Sequence, residues 1–430
     1  MATRASNRPY QIVIFGATGF TGQYVVEELA RVADGEDYRG QPLRWAIAGR
    51  SQKKLEQVLS SAAEKLGKPH LKSIDIVICD INDDDSLADM CKKASVVLDC
   101  VGPYRFYGEA VVRACVENKT HFVDISGEAQ YLESMHLKYN DQAADNGVYI
   151  VGSCGFDSIP ADLGILFTRN SMQGTMTAVE SYLSLKSGPE GFGLHEGTWQ
   201  SAIQVFGDHG NLKNLRKKMA LKPLPVVGKK LNRRNTVFYS DKVQKYAFPF
   251  GSDAAVVKRT QRYLYEDLQE TPVQYAAYGI VGGIKTIFKF MIAGLFFLLL
   301  TKCRWGRKLL IKHPKFFSFG FFSKEGPTQR QMAETSFSMT FFGEGYSQGL
   351  DTQQGKPNVK ICTQVSGPEP GYNATSILMV QAGITILKEP ESLPKNGGVY
   401  TPGAAFSKTK LIDRLNKSGV RFTVLSKTDA

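Results

Sequence analysis

Apolar and polar positions fall into alternating blocks through the first 155 residues. Short apolar runs recur as QIVIF (11–15), LRWAIAG (43–49), IDIVICD (74–80), ASVVLDCVG (94–102), THFVDISG (120–127) and GVYIVGSCG (147–155). Stretches with helical spacing separate them, among them SQKKLEQVLSSAAEKLG, GEAVVRACVEN and EAQYLESMHLKYNDQAADN. A run that is apolar throughout, rather than at every second position, suits a strand covered on both faces, as in a parallel sheet. Six strand–helix alternations demand right-handed crossovers and predict a doubly wound, Rossmann-type α/β domain over residues 1–165.

The pattern then changes. TAVESYLSLKSG, TSFSMTFFGEGYS and NVKICTQVSGPEP alternate apolar with polar, which predicts half-exposed strands of a mostly antiparallel sheet. NATSILMVQAGITIL reads as a helix laid across those strands. The expectation is a second, α+β domain over 166–279 and 323–405, a helix and strand over 406–430, and an apolar and basic insertion over 280–322. A chain of 430 residues, 43% of them hydrophobic, has material for two cores.

Chemistry enters at the first strand–helix junction, where VIFGATGFTG carries Gly16, Gly19 and Gly22. Following a buried strand and opening a helix, the first glycine permits a tight turn. The second lets backbone approach a pyrophosphate, and the third lets the helix pack close with its N–H groups facing the anion. The second strand ends in AGRS. Arg50 and Ser51 suit a ribose 2′-phosphate, whereas an acidic residue would suit the ribose hydroxyls of NAD, so NADP(H) is favoured over NAD(H). Ser51 also reads as the N-cap of the next helix, and the two roles are compatible. Asp80, closing the third strand, is placed to meet adenine. Val101, Gly102 and Pro103, in CVGPYRFYG, close the fourth, where the nicotinamide ribose is expected. The Tyr-x-x-x-Lys pair of short-chain dehydrogenases is missing: YLSLK (182–186) has the spacing but alternates like a strand. Tyr104, Arg105, Asp157 and Ser158 are the candidates for the reacting end, although Asp157 and Ser158 equally read as caps of the helix opened by GFDSIPADLG. No His/Cys spacing points to a metal.

VIFGATGFTG, AGRS, CVGPYRFYG, VDISGE, GSCGFDSIPADLG and GGVYTPGAAFSKTKLIDRLNKSGV stand in the order found in the saccharopine dehydrogenase family, which the chain resembles over essentially its whole length. The resemblance implies a Rossmann domain, a second α+β domain and a pyridine nucleotide. By analogy Gly16, Ala17, Thr18, Gly19, Phe20, Thr21, Gly22, Arg50 and Ser51 hold that nucleotide. Saccharopine itself is not implied as substrate, because no cluster of arginines accompanies Arg105 to hold its carboxylates. Relatives are implicated in lipid metabolism and lipid-droplet association, and lipid or glycolipid metabolism is the context expected for this chain. The expected site of action is therefore the cytosolic face of a lipid droplet or endomembrane, with mitochondrial association as an alternative.

Charge sharpens that expectation. The net charge of +12 is concentrated in two stretches. No acidic residue lies between Asp208 and Asp241, where Lys213, Arg216, Lys217, Lys218, Lys222, Lys229, Lys230, Arg233 and Arg234 are read as a basic loop. The second stretch is 280–322, whose uncharged core, 290–301, is too short for the ~20 residues of a span. Lys302, Arg304, Arg307, Lys308, Lys312 and Lys315 follow, among Trp305 and several phenylalanines. Cations and aromatics beside a short apolar helix suit a segment seated in one leaflet on an anionic lipid surface. An interior or oligomer-interface helix, in a homodimer for example, and a span lengthened by snorkelling Lys285 and Lys289 are the alternatives. Nucleic acid is excluded as the partner of this charge by the lack of any helix-turn-helix, zinc-finger or RRM signature. Seven cysteines without a CxxC pair, and MATRASNRPY without an apolar signal core, predict free thiols in a reducing compartment. The expected activity is reduction or oxidation of a hydrophobic or lipid-derived small molecule; the competing expectation is a nucleotide-binding scaffold without turnover.

Overall fold

The computed structural model describes residues 8–35, 42–156, 158–207, 209–251, 253–352 and 356–429. Contacts divide the chain into two units, the first made of 1–126, 130–156 and 372–418, the second of 127–129, 157–371 and 419–430.

The first unit begins with β1 (Tyr10–Phe15), α1 (Phe20–Val32), β2 (Trp45–Gly49) and α2 (Gln52–Leu66). It continues through β3 (Asp75–Ile78), α3 (Asp84–Lys93), β4 (Ala94–Asp99), α4 (Tyr104–Glu117), β5 (His121–Asp124), α5 (Ala129–Asn146) and β6 (Tyr149–Val151). The strands lie parallel in the order β6-β5-β4-β1-β2-β3, and the short strand Gly398–Tyr400 adds a seventh beside β6. Every residue of β2 and β4 is buried, which is why neither shows alternation. The strand order reverses between β1 and β4, and this leaves a crevice at the carboxyl ends where open α/β sheets bind ligands.

The second unit holds a mixed seven-stranded sheet, in which Thr175–Lys186 and Gln274–Val281 form the parallel pair and the remaining neighbours are antiparallel. YLSLK lies within Thr175–Lys186, paired on both sides, and is structural. The basic stretch after Asp208 differs from the loop read in the sequence. It begins as a helix, His209–Met219, that carries Lys213, Arg216, Lys217 and Lys218. Irregular chain follows from Ala220, and Pro223 and Pro225 keep it out of helix.

The largest difference from the sequence reading concerns 372–418. The helix Thr375–Lys388 was expected across the antiparallel strands, inside a domain running to residue 405. It belongs instead to the first unit, packed on α1, β4 and β5. Twelve consecutive residues, Thr375 to Ile386, are buried. A helix with no polar face must be covered all round, and a Cβ on Gly383 would come within 2.7 Å of Leu98 Cδ2. The nucleotide-binding unit is thus closed by sequence from the far end of the chain. Gly383→Val should lower the stability of the first unit by ~1–3 kcal/mol through overpacking against β4. Scanning calorimetry checks this, and an unchanged first-unit transition would show that the close packing is not required.

Candidate functional site

Four segments converge along the carboxyl edge of the first sheet. The Gly16 N–H donates to Ala48 O at 3.0 Å, which sets the turn after β1 against the end of β2. The Cys79 N–H donates to Gly49 O at 3.0 Å and the Cys100 N–H to Phe15 O at 2.9 Å, so the ends of β3 and β4 join the same edge. Gly16 takes φ +80°, a left-handed conformation in which a side chain is strained, and a Cβ there would lie 2.7 Å from Val101 Cγ2.

The turn leads into α1 with no room to spare. A Cβ on Gly22 would stand 2.3 Å from Gly16 O and 3.0 Å from Ala17 Cα, so only glycine lets the helix sit this close. Gly19 occupies the N-cap without a side-chain cap, and the first turn contains no acidic residue. Helix N-terminal amides that no side chain caps are an anion site, and the macrodipole adds to it. Ala17 and Gly22 are buried, Thr18, Phe20 and Thr21 half-buried, and Gly19 exposed. The Phe20 ring packs edge-on against Tyr372 at 4.7 Å, with Tyr24 5.6 Å from both. The residues present fit a dinucleotide pyrophosphate.

Arg50 is exposed just beyond β2 and makes no ion pair among the described residues. Ser51 is the N-cap of α2 and accepts from the Lys54 N–H at 3.5 Å, a weak bond that leaves its hydroxyl able to serve a ligand. Asp80 is half-buried and turned back on its own loop, accepting from the Asn82 N–H at 3.0 Å. Val101 and Pro103 are half-buried, and Gly102 is exposed.

The candidates for the reacting end fare differently. Tyr104 faces inward: it is 7% exposed, and its hydroxyl donates to Asp99 O at 2.8 Å. Arg105 is half-buried, with Nη2 donating to Gln130 Oε1 at 2.9 Å. Asp157 lies outside the described residues. Ser158 belongs to the second unit and stands at the N-cap of the helix Ile159–Ser171, yet it does not cap it; the hydroxyl is buried without a hydrogen-bond partner among the described residues.

Sequence reasoning missed a pair of buried carboxyls, Asp99 and Asp124, which are register partners at the ends of β4 and β5. Asp124 Oδ1 accepts from the Ser126 and Ser153 N–H groups at 2.9 and 2.8 Å, and Oδ2 accepts from the Tyr131 hydroxyl at 3.0 Å. Ser153 is held at φ +63° by that contact and by its own hydroxyl, which donates to Ser126 O at 2.7 Å. Asp99 Oδ1 accepts from the Val101 N–H at 2.9 Å, while Oδ2 has no partner among the described residues. Burial pushes Asp124 up to about 6 despite its hydrogen bonds, and burial holds Asp99 well above the usual carboxylate range. The available signal was an acid inside each apolar run, VVLDCVG and FVDISG.

Residues 12–151 match the family described as the saccharopine dehydrogenase NADP-binding domain. A human relative named saccharopine dehydrogenase-like oxidoreductase is 60% identical, covering 100% of both chains. The chain belongs to the saccharopine dehydrogenase-like oxidoreductases. A Caenorhabditis elegans relative, named lipid droplet localized protein, is 38% identical over 98% of this chain and 99% of its own. Apo saccharopine dehydrogenase (L-Glu forming) from Saccharomyces cerevisiae shares the fold, with a TM-score of 0.54 over 96% of this chain and 99% of that one, at 12% identity. As a member of this family, the protein carries an NADP-binding domain in its first unit.

At the other end of β5 from Asp124, His121 Nδ1 accepts from the Tyr149 N–H at 3.1 Å, and burial, then the Arg8 charge, depresses its pKa to about 4. The two shifts act in opposite directions on stability. Asp124 keeps its proton up to about 6 when folded, against 3.8 ordinarily, so its contribution is present in acid and lost as pH rises through 6. His121 contributes above its ordinary 6.5, and that contribution is lost as pH falls through about 4. Between these limits Asp124→Asn should make the urea midpoint rise with pH, and His121→Gln should make it fall. Parallel midpoint profiles for the two variants would refute both assignments.

Proposed function

We propose that the protein is an NADP(H)-dependent oxidoreductase that acts at a membrane or lipid-droplet surface on a hydrophobic or lipid-derived carbonyl, imine or enoyl group. The observation that carries the nucleotide half is the uncapped turn from Gly16 to Gly22, with an exposed guanidinium, Arg50, beyond the neighbouring strand. In this reading the turn from Ala17 to Gly22 holds the pyrophosphate through N–H groups other than those of Ala17 and Gly19, which donate to Ala48 O and Gly16 O. Arg50 and the Ser51 hydroxyl take the 2′-phosphate, and Asp80 borders the adenine. Val101, Gly102 and Pro103 line the nicotinamide ribose. The cofactor supplies or takes up the hydride; the chain orients it and excludes water. Arg105, half-buried and donating to Gln130 Oε1, is the cation this reading assigns to a substrate oxygen. The partners are then a pyridine nucleotide, a hydrophobic substrate, an anionic lipid surface and, in a homodimer, a second copy of the chain. The exposed apolar residues of the helix Ile284–Thr301 support the lipid half, as does the name of the nematode relative.

One observation favours a second reading, a nucleotide-binding scaffold without turnover. The Tyr104 hydroxyl is engaged by main chain, and no Tyr-x-x-x-Lys pair replaces it as a proton donor.

Titration by nicotinamide fluorescence tests the proposal. The protein should bind NADPH more tightly than NADH, and Arg50→Asp should weaken NADPH by about tenfold or more while sparing NADH, as expected for a lost charge-assisted phosphate contact. Binding of neither nucleotide removes the oxidoreductase reading; tighter NADH binding removes the role given to Arg50. Gly22→Val should abolish binding of both, because its side chain would displace Gly16 O and open the turn.

A further inference from the structure

The helix Ile284–Thr301 has inverted polarity. Its inward residues Phe297 and Leu300 pack with Trp199 and Ile203 of the helix Glu196–Gly207, the Phe297 ring lying 5.0 Å from Trp199. Its outward face carries Phe288, Met291, Ile292, Leu295 and Leu299, spaced by three and four residues and between 37% and 64% exposed. A helix at a water-facing surface shows the opposite arrangement.

The next helix, Arg304–Lys312, is half as long yet carries Arg304, Arg307, Lys308 and Lys312, against Lys285 and Lys289 in the first turns of this one. Lys302, Arg304, Lys308 and Lys312 are exposed around Trp305, itself 69% exposed, and Phe316 beyond them is 77% exposed. No acidic residue occurs between Glu270 and Glu325 to offset these cations. The turn between the helices is built rigidly: Arg307 Nη1 donates to Thr301 O at 2.8 Å, and a Cβ on Gly306 would lie 2.2 Å from Leu300 O. Trp199 Nε1 donates to Leu310 O at 2.9 Å and pins the second helix to the same base. Among the described residues no helix is long and apolar enough to cross a membrane.

We propose that this helical pair is a preformed seat for an anionic phospholipid leaflet. The first helix lies in the plane of the interface with its apolar face among the acyl chains, and the cations of the second stand at headgroup level with Trp305 between. The seat rests on the lipid-surface part of the function proposed above and adds which face enters, at what depth, and why acidic headgroups are needed. Charge selects the occupant, because a second copy of the chain would bring the same cations to the contact.

Intrinsic fluorescence reads the seat directly. Of the three tryptophans, Trp45 and Trp199 are buried, so Trp305 reports the surface. The full chain is mixed with vesicles of phosphatidylcholine alone, or of phosphatidylcholine with phosphatidylserine, and followed by emission and flotation. The mixed vesicles should bind at least about tenfold more tightly, less so in high salt, with a blue shift that Trp305→Phe abolishes. Leu295→Glu with Leu299→Glu, both exposed positions, should lower flotation by about tenfold or more. Arg304→Glu with Lys308→Glu should erase the preference for phosphatidylserine. NADPH binding should be unchanged in every variant, so loss of lipid binding is read separately from failure of the oxidoreductase reading. The proposal is overturned by flotation that survives the Leu295/Leu299 change, by equal binding to both vesicle types, or by binding without a Trp305 shift. A chain that light scattering finds dimeric without lipid, and that the leucine changes convert to monomer, would overturn it as well by assigning the face to a second copy.

Discussion

The contact between Gly22 and Gly16 O sets the geometry of the nucleotide unit. Because no side chain separates them, α1 begins where β1 ends, and its first amides stay clear of any capping group. The same closeness fixes Gly16 in its left-handed conformation and presses it against Val101, so the turns after β1 and β4 are held by one packing event. A methyl group at either glycine would separate helix from strand, and the anion site would lose its shape.

Behind that edge lies a polar interior unusual for a parallel sheet. Asp99 and Asp124 sit side by side, with Tyr104, Tyr131, Ser126 and Ser153 closing around them. The tyrosine that sequence reasoning offered to the substrate is committed to this interior. Its neighbour Arg105 remains half-buried, so one short segment, CVGPYRFYG, supplies one side chain to the core and one that reaches solvent.

How much of this was legible depends on whether a residue's role is local. Glycine spacing after a buried strand translates directly into backbone geometry, so the turn, the first six strands and the identity of the cofactor could be read from residues 11–155. The helix Thr375–Lys388 declared that it was buried but not against what, because an all-apolar surface carries no address; only packing against Leu98 and its neighbours supplies one. Ser158 had the composition and position of a cap, yet its backbone, at φ −145° and ψ −47°, departs from the extended cap conformation and its hydroxyl caps nothing. The basic helix His209–Met219 was hidden because its lysines and arginines signal charge before they signal periodicity. Asp99 and Asp124 were visible as acids in apolar runs, but their pairing depends on strand register, which no single run specifies.

The seventh strand of the first sheet has a consequence for biogenesis. β6 gains its outer neighbour from Gly398–Tyr400, with most of the second unit lying between them in sequence. At ~5–20 residues per second, a ribosome needs roughly 12 to 50 s to travel from one to the other. Throughout that interval the nascent nucleotide unit has an open edge and an uncovered apolar flank where Thr375–Lys388 will settle. Until the residues through Tyr400 are made, that side of the nucleotide unit is left without its native cover.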